Sequence, residues 1–316
     1  MILVALKKIQ FRRNAYLSIL LVVVFYGMSV SLASAEKMRV VVSSFPLYDF
    51  AKKVGGNLVD VKLLLPPGVE AHGFSPTPHD MIAMQRADLF LYTSKNLESW
   101  AEAFVEASPT GKSNGIEVGE HLTLSGDDQH HDHNGEGGYG GDPHIWLNPL
   151  LAMKMVAVIS AELKKVDSSH RDQYEKNSSK YIEDLRQLDD EIEKSLVSCK
   201  YHTIISGGHF AFGSFAKRYR LEALSPFKGY SPDAQPSPRG IANLVKYVRQ
   251  TGGKAIFHEE LIQPKIAKII AGETGATLLL LHGVHNVSKD ELQRGETYLS
   301  LMKKNLDNLK LGLQCQ

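Results

Sequence analysis

Short runs of apolar residues alternate along this chain with longer segments in which apolar residues recur every three or four positions. The short runs predict buried β-strands, and the longer segments predict helices with one apolar face. The predicted strands cover residues 38–43, 58–65, 87–92, 202–206, 254–257 and 277–281. Because strands and helices alternate, we predict an α/β fold with a mainly parallel sheet flanked by helices in each half of the chain.

Two helix starts are marked by a polar residue followed by proline. Thr77 precedes Pro78, and Asn148 precedes Pro149. Threonine and asparagine side chains accept hydrogen bonds from free N–H groups, and proline suits the first helical position because its missing N–H would have no partner there. We predict that helices begin at these sites. Further helices are predicted over residues 209–219, 238–251 and 264–274.

The longest periodic segment runs from about residue 169 to residue 196. Its polar stretches are interrupted by apolar or aromatic residues at intervals of three, four and seven, at Tyr174, Tyr181, Leu185, Leu188 and Ile192. These intervals keep the five side chains on one face of a helix. The pattern therefore predicts one long amphipathic helix between the two α/β halves.

Residues 1–35 have the pattern of a secretory signal peptide. Four basic residues precede an apolar run over residues 15–32, and the small residues Ala33-Ser34-Ala35 follow, which is the pattern that signal peptidase cuts. We predict cleavage after Ala35 and a periplasmic mature chain. The alternative is an uncleaved membrane anchor, because the apolar run approaches the ~18 residues of a spanning helix. We expect no lipid anchor, because no cysteine lies near the predicted cut.

The charge balance and the two cysteines narrow the class of protein further. Lys and Arg number 36 against 35 Asp and Glu, and the formal net charge is +1, which gives no basic footprint for nucleic acid. In an oxidising compartment, Cys199 and Cys315 are expected to form a single disulfide rather than a metal site. Two free thiols are the alternative.

Four histidines lie where a predicted strand ends or where a strand connects to a helix. They are His72, His144, His209 and His282. Ligands of open α/β sheets bind at the carboxyl ends of the strands, so these side chains can converge in one crevice between two lobes. Imidazole suits zinc, copper, iron and nickel, and three or four neutral imidazoles can form a tetrahedral zinc site, whereas manganese prefers oxygen. Candidate carboxylates for orienting the histidines are Glu70, Glu259 and Glu260.

The remaining histidines are interpreted differently. His79, His202 and His258 are expected to be ordinary surface or hydrogen-bonded groups. His121, His130, His131 and His133 belong to the stretch 121–141, which is rich in Asp, His and Gly and is without apolar periodicity. This composition predicts a loop that either binds metal weakly or serves as a solvated spacer.

Six segments together carry a resemblance to a known family. They are SSFPLYDFAKKVGG, PPGVEAHGFSPTPHDM, ADLFLYTSKNLESW, DPHIWLNP, ISGGHFAFGSFAKRY and SPDAQPSPRGIANL. In this order they resemble the zinc- and manganese-type substrate-binding proteins of bacterial ABC transporters, the cluster A-I solute-binding family, over nearly all of the mature chain. The resemblance implies two α/β lobes joined by one long linker helix, with the metal between them. We accordingly predict an N-terminal lobe over residues 36–168, the linker over 169–197 and a C-terminal lobe over 198–316.

The resemblance also implies a ligand set. His72 and His144 correspond to the ligands of the first lobe, and His209 corresponds to the first ligand of the second lobe. Manganese-type members have glutamate at the position of His209, so histidine there implies zinc, as does the histidine-rich loop. The family usually has Asp where this chain has His282. Whether His282, His285 or water completes the site stays open at this point.

The function implied by the resemblance is capture of Zn²⁺ in the periplasm and delivery to the inner-membrane permease of an ABC transporter, by a monomer without enzymatic activity. Capture of manganese or iron is the alternative within the family. A secreted zinc hydrolase is the alternative from another class, but the chain has no HExxH motif to supply paired ligands and a base. An adhesin would need a sizeable exposed patch for a host polymer, which the sequence does not indicate.

Overall fold

The computed structural model describes residues 36–107, 114–120, 122, 142–209, 211–227 and 236–316. The predicted signal peptide lies outside this part of the chain. The histidine-rich stretch 121–141 also lies outside it, except for Leu122. Residues from Lys37 to Gln316 form one compact unit. Among the described residues, no helix has both the length and the apolar character needed to cross a membrane.

The first lobe is built on a four-stranded parallel sheet. Its strands are β1 (Met38–Val42), β2 (Val59–Leu63), β3 (Leu89–Tyr92) and β4 (Asn114–Glu117), in the spatial order β2-β1-β3-β4. Its helices are α1 (Phe45–Gly55), α2 (Pro78–Arg86) and α3 (Ser99–Ala107). The predicted cap is confirmed at α2, where Thr77 accepts a hydrogen bond from Asp80 N and the Asp80 side chain accepts one from Thr77 N. Strand β4 was not predicted.

Two long helices follow the first sheet, and the second of them is the linker between the lobes. They are α4 (Pro149–Val166), capped by Asn148 as predicted, and α5 (Arg171–Val197). Helix α5 is the long amphipathic helix expected from the sequence, and all five of its predicted apolar positions are buried. Because α5 packs along α4 and α1 on this face, burial of one side chain per turn stabilises a helix whose other faces are polar.

The second lobe has two pairs of parallel strands. The pairs are β5 (Thr203–Ile205) with β6 (Glu222–Leu224), and β7 (Ala255–His258) with β8 (Thr277–Leu280). A bridge between Ser206 and Phe257 connects them. The helices are α6 (Gly213–Arg218), α7 (Pro238–Thr251), α8 (Lys265–Thr274), α9 (Lys289–Gln293) and α10 (Tyr298–Leu313). The helix predicted from residue 209 begins four residues later, at Gly213. In its first turn, Ser214 N donates a hydrogen bond to Asp142 of the first lobe.

Buried hydrogen bonds fasten the linker helix α5 to both lobes. Tyr181 donates its hydroxyl hydrogen to Asp49 of α1 at 2.7 Å. Near the other end, Asp189 accepts from the guanidinium of Arg218 and from the hydroxyl of Tyr219, both at 2.7 Å. Since these acceptors are buried carboxylates, breaking either attachment would leave a poorly solvated charge, which is costly. Helix α5 is thus attached to the two lobes that border the cleft.

A disulfide joins Cys199 and Cys315, across a sequence separation of 116 residues. Of the two alternatives left open by the sequence, the structure therefore has the disulfide. Cys199 follows the end of α5, and Cys315 follows the end of α10. The covalent link holds the C-terminal helix against the linker helix, and α10 in turn contacts the strand β8 that leads toward the cleft.

Glu98 is a buried carboxyl group at the carboxyl ends of β1 and β3, where it accepts hydrogen bonds from Ser43 Oγ at 2.6 Å and Ser94 N at 3.0 Å. Burial raises the pKa of Glu98 from 4.5 to about 7, although its hydrogen bonds act in the opposite direction. Because the pKa of Glu98 is higher in the folded than in the unfolded state, folding is accompanied by proton uptake at pH values between the two pKa values. The contribution of Glu98 to stability therefore falls as the pH rises through this window.

We expect Glu98→Gln to remove this pH dependence from the metal-free protein. From about pH 5 to about pH 8, the free energy of unfolding of wild type should fall by on the order of 2 kcal/mol relative to that of the variant. Chemical unfolding at several pH values measures it. A difference that stays constant over that range would contradict the raised pKa.

Candidate metal centre

Three imidazole rings from separate parts of the chain meet in the cleft between the lobes. His72 follows β2, His144 precedes the helical turn Ile145–Leu147, and His209 follows β5. Nε2 of His144 lies 3.1 Å from Nε2 of His72 and 3.2 Å from Nε2 of His209. His144 and His209 are buried, whereas His72 is partly exposed. The ring at the solvent side of the cluster is therefore that of His72.

The spacing of these nitrogens fits a tetrahedral metal site. One ligand nitrogen from each ring lies within 4.8 Å of the others. In a tetrahedron with zinc–nitrogen bonds of 2.0–2.1 Å, the ligand nitrogens are separated by ~3.3–3.4 Å. The two Nε2 distances are slightly shorter than this value, so an expansion of a few tenths of an ångström brings the rings into place around an ion.

Asp142 orients the central ring of the cluster. Its Oδ1 lies 2.9 Å from Nδ1 of His144 and accepts a hydrogen bond from His144 N, while its Oδ2 accepts one from Ser214 N of the second lobe. A carboxylate at Nδ1 holds the proton there and leaves Nε2 as the metal-binding atom. Burial lowers the pKa of His144 despite this carboxylate, which favours the neutral ring that a metal requires.

Glu259 has the corresponding position beside His209, with Oε2 at 2.7 Å from Nδ1. Burial lowers the pKa of His209, but the close contact with the Glu259 carboxylate and its charge outweigh burial and raise it. The carboxylate comes this close because residue 208 is glycine: a β-carbon there would lie 2.2 Å from Oε1 of Glu259. Glycine at position 208 thus leaves the room that this carboxylate occupies.

Glu70 shapes the loop that carries His72. Its Oε2 accepts hydrogen bonds from the backbone N–H groups of His72 at 2.7 Å and Gly73 at 3.3 Å. Burial raises the pKa of Glu70. Burial, with further contributions from the neighbouring His144 and His209, lowers the pKa of His72 to about 3. His72 is therefore neutral at physiological pH and available as a ligand.

His282, the fourth ligand predicted from the sequence, does not belong to this three-histidine cluster. Its Nδ1 accepts a hydrogen bond from Val284 N at 2.9 Å and lies 3.3 Å from Glu260 Oε1, and its Nε2 lies 3.5 Å from Glu291 Oε1. The pKa of His282 is lowered by burial but raised overall by the two carboxylates. Both ring nitrogens thus face groups other than the three imidazoles.

His285 lies three residues further on the same loop and is 2% exposed. Its Nε2 is 3.8 Å from Glu70 Oε1, and its Nδ1 is 3.7 Å from Glu260 Oε1. Burial lowers the pKa of His285 well below its usual value, with further contributions from the ring of His144 and from those of His282, His209 and His72. His285 is therefore a neutral imidazole in the electrostatic neighbourhood of the cluster.

Trp146 connects His144 to the loop that carries His285. The indole Nε1 donates to Gly283 O across the cleft at 2.8 Å, and Trp146 O accepts from the hydroxyl of Tyr298 at 2.6 Å. The indole is fully buried and contacts the ring of His144 edge-on, at 5.4 Å between ring centres. A large side chain packed on both lobes prevents the ring of His144 from turning away.

The other sequence expectations for this site have mixed outcomes. Glu259 and Glu70 lie beside the cluster as outer carboxylates, and Glu260 lies beside His282 and His285. Asp142 was missed, although a carboxylate two residues before a candidate ligand, in Asp-Pro-His, is a usable signal. Among the histidines expected to be ordinary, His79 is exposed and His258 Nδ1 lies 2.9 Å from Glu259 O. The four histidines of the stretch 121–141 lie outside the described residues.

Comparison with known sequences gives consistent matches. The model of the family described as ZnuA, zinc-uptake complex component A, periplasmic, matches residues 40–312. The high-affinity zinc uptake system protein ZnuA of Bacillus subtilis strain 168 is 35% identical to this chain over 286 residues, which make up 89% of each protein.

Solved structures match over a similar extent. The Zn(II)-bound ZnuA-like domain of Streptococcus pneumoniae AdcA superposes with a TM-score of 0.74 at 30% identity, covering 88% of this chain and 99% of that one. The laminin binding protein Lmb of Streptococcus agalactiae, titled a bifunctional protein with adhesin and metal transporting activity, superposes with a TM-score of 0.76 at 33% identity, covering 87% and 99%. The predicted α/β fold of two lobes with a long linker helix is thereby confirmed.

Proposed function

Because this chain belongs to the family of periplasmic zinc-uptake components A, we propose that it captures Zn²⁺ between its two lobes and delivers the ion to the permease of an ABC transporter. The observation that carries the proposal is the convergence of three imidazole Nε2 atoms at separations near those of a tetrahedral zinc site. Zinc is the transported ion here, so binding and release suffice and no bond of a substrate is broken.

The donor set favours zinc over manganese. His72, His144 and His209 present nitrogen, which is suited to zinc, whereas manganese prefers oxygen ligands. The carboxylates of Asp142 and Glu259 are turned toward the Nδ1 atoms, where they offset the ion's charge and hold the rings. Delivery of manganese, an alternative within the family, would be favoured by a carboxylate in the coordination sphere, whereas iron, which imidazole also suits, is distinguished from zinc by metal competition.

We propose His285 as the fourth ligand in place of His282. Support comes from its burial and from its lowered pKa, to which the three clustered rings contribute. His282 is instead engaged with Val284 N, Glu260 and Glu291. The role assigned to His282 is to hold the loop so that His285 faces the cluster.

A matched pair of variants distinguishes the two histidines. We expect His285→Ala to weaken zinc binding by roughly 100-fold, because ligand loss should exceed the 10- to 100-fold cost of losing an outer-shell partner. His282→Ala should weaken it by about 10-fold or less, since it acts only through the loop. Competition against a chromophoric chelator measures both affinities. The reverse order of effects would make His282 the ligand.

Cellular placement forms a further part of the proposal. We propose that the mature chain begins after Ala35, works in the periplasm and meets the permease as a monomer. Residues 36–168, 169–197 and 198–316 are proposed as the N-terminal lobe, linker helix and C-terminal lobe. The hydrogen bonds that fasten α5 to both lobes support a cleft that is formed before the ion arrives.

Metal analysis tests the proposed function directly. The mature chain, stripped with chelator and offered zinc, manganese and iron(II) together, should retain one tightly bound zinc per chain. Preferential retention of manganese or iron would contradict zinc capture, and retention of no metal would contradict metal capture altogether.

A further inference from the structure

The loop that brings His72 into the cleft begins with a tight turn over residues 66–69. Val69 N donates to Pro66 O at 3.1 Å, and Gly68 has φ +85. Proline at the second position and a glycine with positive φ at the third are the signature of a type II turn. The sequence Pro-Pro-Gly-Val therefore encodes the shape of this turn, but not its position relative to the other lobe.

Three hydrogen bonds from the second lobe hold this turn. The side-chain amide of Asn286 donates to Pro66 O and to Val69 O, both at 2.7 Å, and Gly68 N donates to Val287 O at 2.8 Å. Asn286 is fully buried, and its Oδ1 accepts from Val287 N at 2.8 Å. The network thus uses both N–H groups and the oxygen of one amide, and this determines how the amide is oriented.

The chain between this turn and the first ligand is short and is held at both ends. Two residues separate Val69 from His72, and one of them, Glu70, accepts hydrogen bonds from His72 N and Gly73 N. A displacement of the turn therefore displaces His72 as well. Asn286 also directly follows His285, whose O accepts a hydrogen bond from Phe45 N of the first lobe.

We propose that Asn286 is a positioning residue for zinc: it clamps the 66–69 turn to the second lobe and so sets the distance of His72 from His144 and His209. The inference rests on the proposed function and adds to it a determinant of how slowly the ion leaves. Release requires His72, the partly exposed ligand, to withdraw, and withdrawal requires the clamp to open.

The chemistry of the clamp specifies asparagine. Two carbonyl oxygens need two N–H donors, which a carboxylate does not have and a hydroxyl can only half supply. Without the amide, both carbonyls lose a buried hydrogen bond, which costs more than an exposed one because water does not readily replace it. In the variant the turn is held only by its remaining bond to Val287 O, and His72 becomes mobile.

Zinc dissociation tests the proposal. Asn286→Ala should release bound zinc to excess chelator roughly 10- to 100-fold faster than wild type, the range expected when an outer-shell partner of a ligand is lost. Asn286→Ser, which keeps one donor, should give an intermediate rate and serves as the test if the alanine variant does not fold. Wild-type dissociation rates in the folded variants would overturn the proposal.

Asn177→Ala is the matched control. Asn177 also donates its side-chain amide to a backbone carbonyl, that of Val54 at 2.8 Å, but on the contact between α5 and α1. It should leave zinc dissociation unchanged even where it lowers the melting temperature of the metal-free protein as much as Asn286→Ala does. Equal acceleration in both variants would show that general loosening of the fold releases zinc, and would overturn the specific role of Asn286.

A double-mutant cycle separates positioning of His72 from other effects. If Asn286 acts through His72, then Asn286→Ala should change zinc affinity by less than about twofold in a His72→Ala background, because coupled residues are not additive. The same loss in both backgrounds would overturn the proposal. Failure of wild type itself to bind zinc would instead refute the proposed function, so the two failures are distinguishable.

Discussion

His144→Ala should lower zinc affinity by roughly 100-fold or more, the largest effect expected of any single change in the site, because a ligand is lost and not merely an outer-shell partner. Nε2 of His144 lies 3.1 Å from Nε2 of His72 and 3.2 Å from Nε2 of His209, between the other two rings of the cluster. Its removal leaves His72 and His209 without the central donor and removes the group that Trp146 packs against. Chelator competition measures the affinity.

Zinc-dependent stabilisation gives a second readout for the same variant. A ligand that binds only the folded state stabilises it by about 4 kcal/mol at 1,000 times its dissociation constant, and by less as that constant rises. At a zinc concentration that saturates wild type, His144→Ala should therefore show a smaller rise in melting temperature. His79→Ala, which removes an exposed histidine of α2, should behave as wild type. Wild-type affinity in His144→Ala would refute the metal centre.

Loss of the disulfide should produce the largest effect on stability. We expect Cys315→Ser, or reduction of wild type, to lower the free energy of unfolding of the metal-free protein by roughly 2–5 kcal/mol, because the link between Cys199 and Cys315 closes a loop of 116 residues and so restricts the unfolded chain. Urea unfolding of oxidised wild type, reduced wild type and Cys315→Ser measures it. The two forms without the link should agree.

A local control separates the covalent link from its surroundings. Ser198 precedes Cys199 and donates its hydroxyl hydrogen to Gln316 O at 3.2 Å, so Ser198→Ala weakens the same contact without cutting the link. This variant should lose less than about 1 kcal/mol, the usual contribution of one hydrogen bond. A loss in Cys315→Ser no greater than that in Ser198→Ala would contradict a stabilising role of the disulfide.

Local patterns predicted most of the helices and strands, and they failed where an element depends on a distant partner. The helix from Pro238 to Thr251 and the burial of one face of α5 follow from spacing within each segment. Strand β4, Asn114–Glu117, has a single strongly apolar residue and exists because β3 lies beside it. Strand β6 spans only three residues and likewise depends on pairing, with β5. Neither segment carries a periodicity long enough to detect.

The candidate metal site also combines features predictable from local sequence with features that depend on distant contacts. The positions of His72, His144 and His209 near strand ends are local features, and parallel strands bring their carboxyl ends to one edge, so their convergence was predictable. The carboxylates that orient them were less predictable: Asp142 lies only two residues before His144, but it also accepts a hydrogen bond from Ser214 N of the other lobe. The donors of Asn286 reach carbonyls more than 200 residues away.

The sequence by itself determined the α/β alternation, the linker helix and three histidines suited to zinc. Only the tertiary structure distinguishes His282 from His285, which share one loop and the same chemistry, and it is the basis on which we propose His285 as the fourth ligand. Asn305 of α10 bonds to both His282 N and His282 O, while Val284, at φ 60, has a left-handed backbone that reverses the chain. The ring of His282 thereby lies near Glu260 and Glu291, whereas that of His285 lies between Glu70 and Glu260. Which ring faces an ion depends on these long-range contacts, because residue type and spacing are compatible with either.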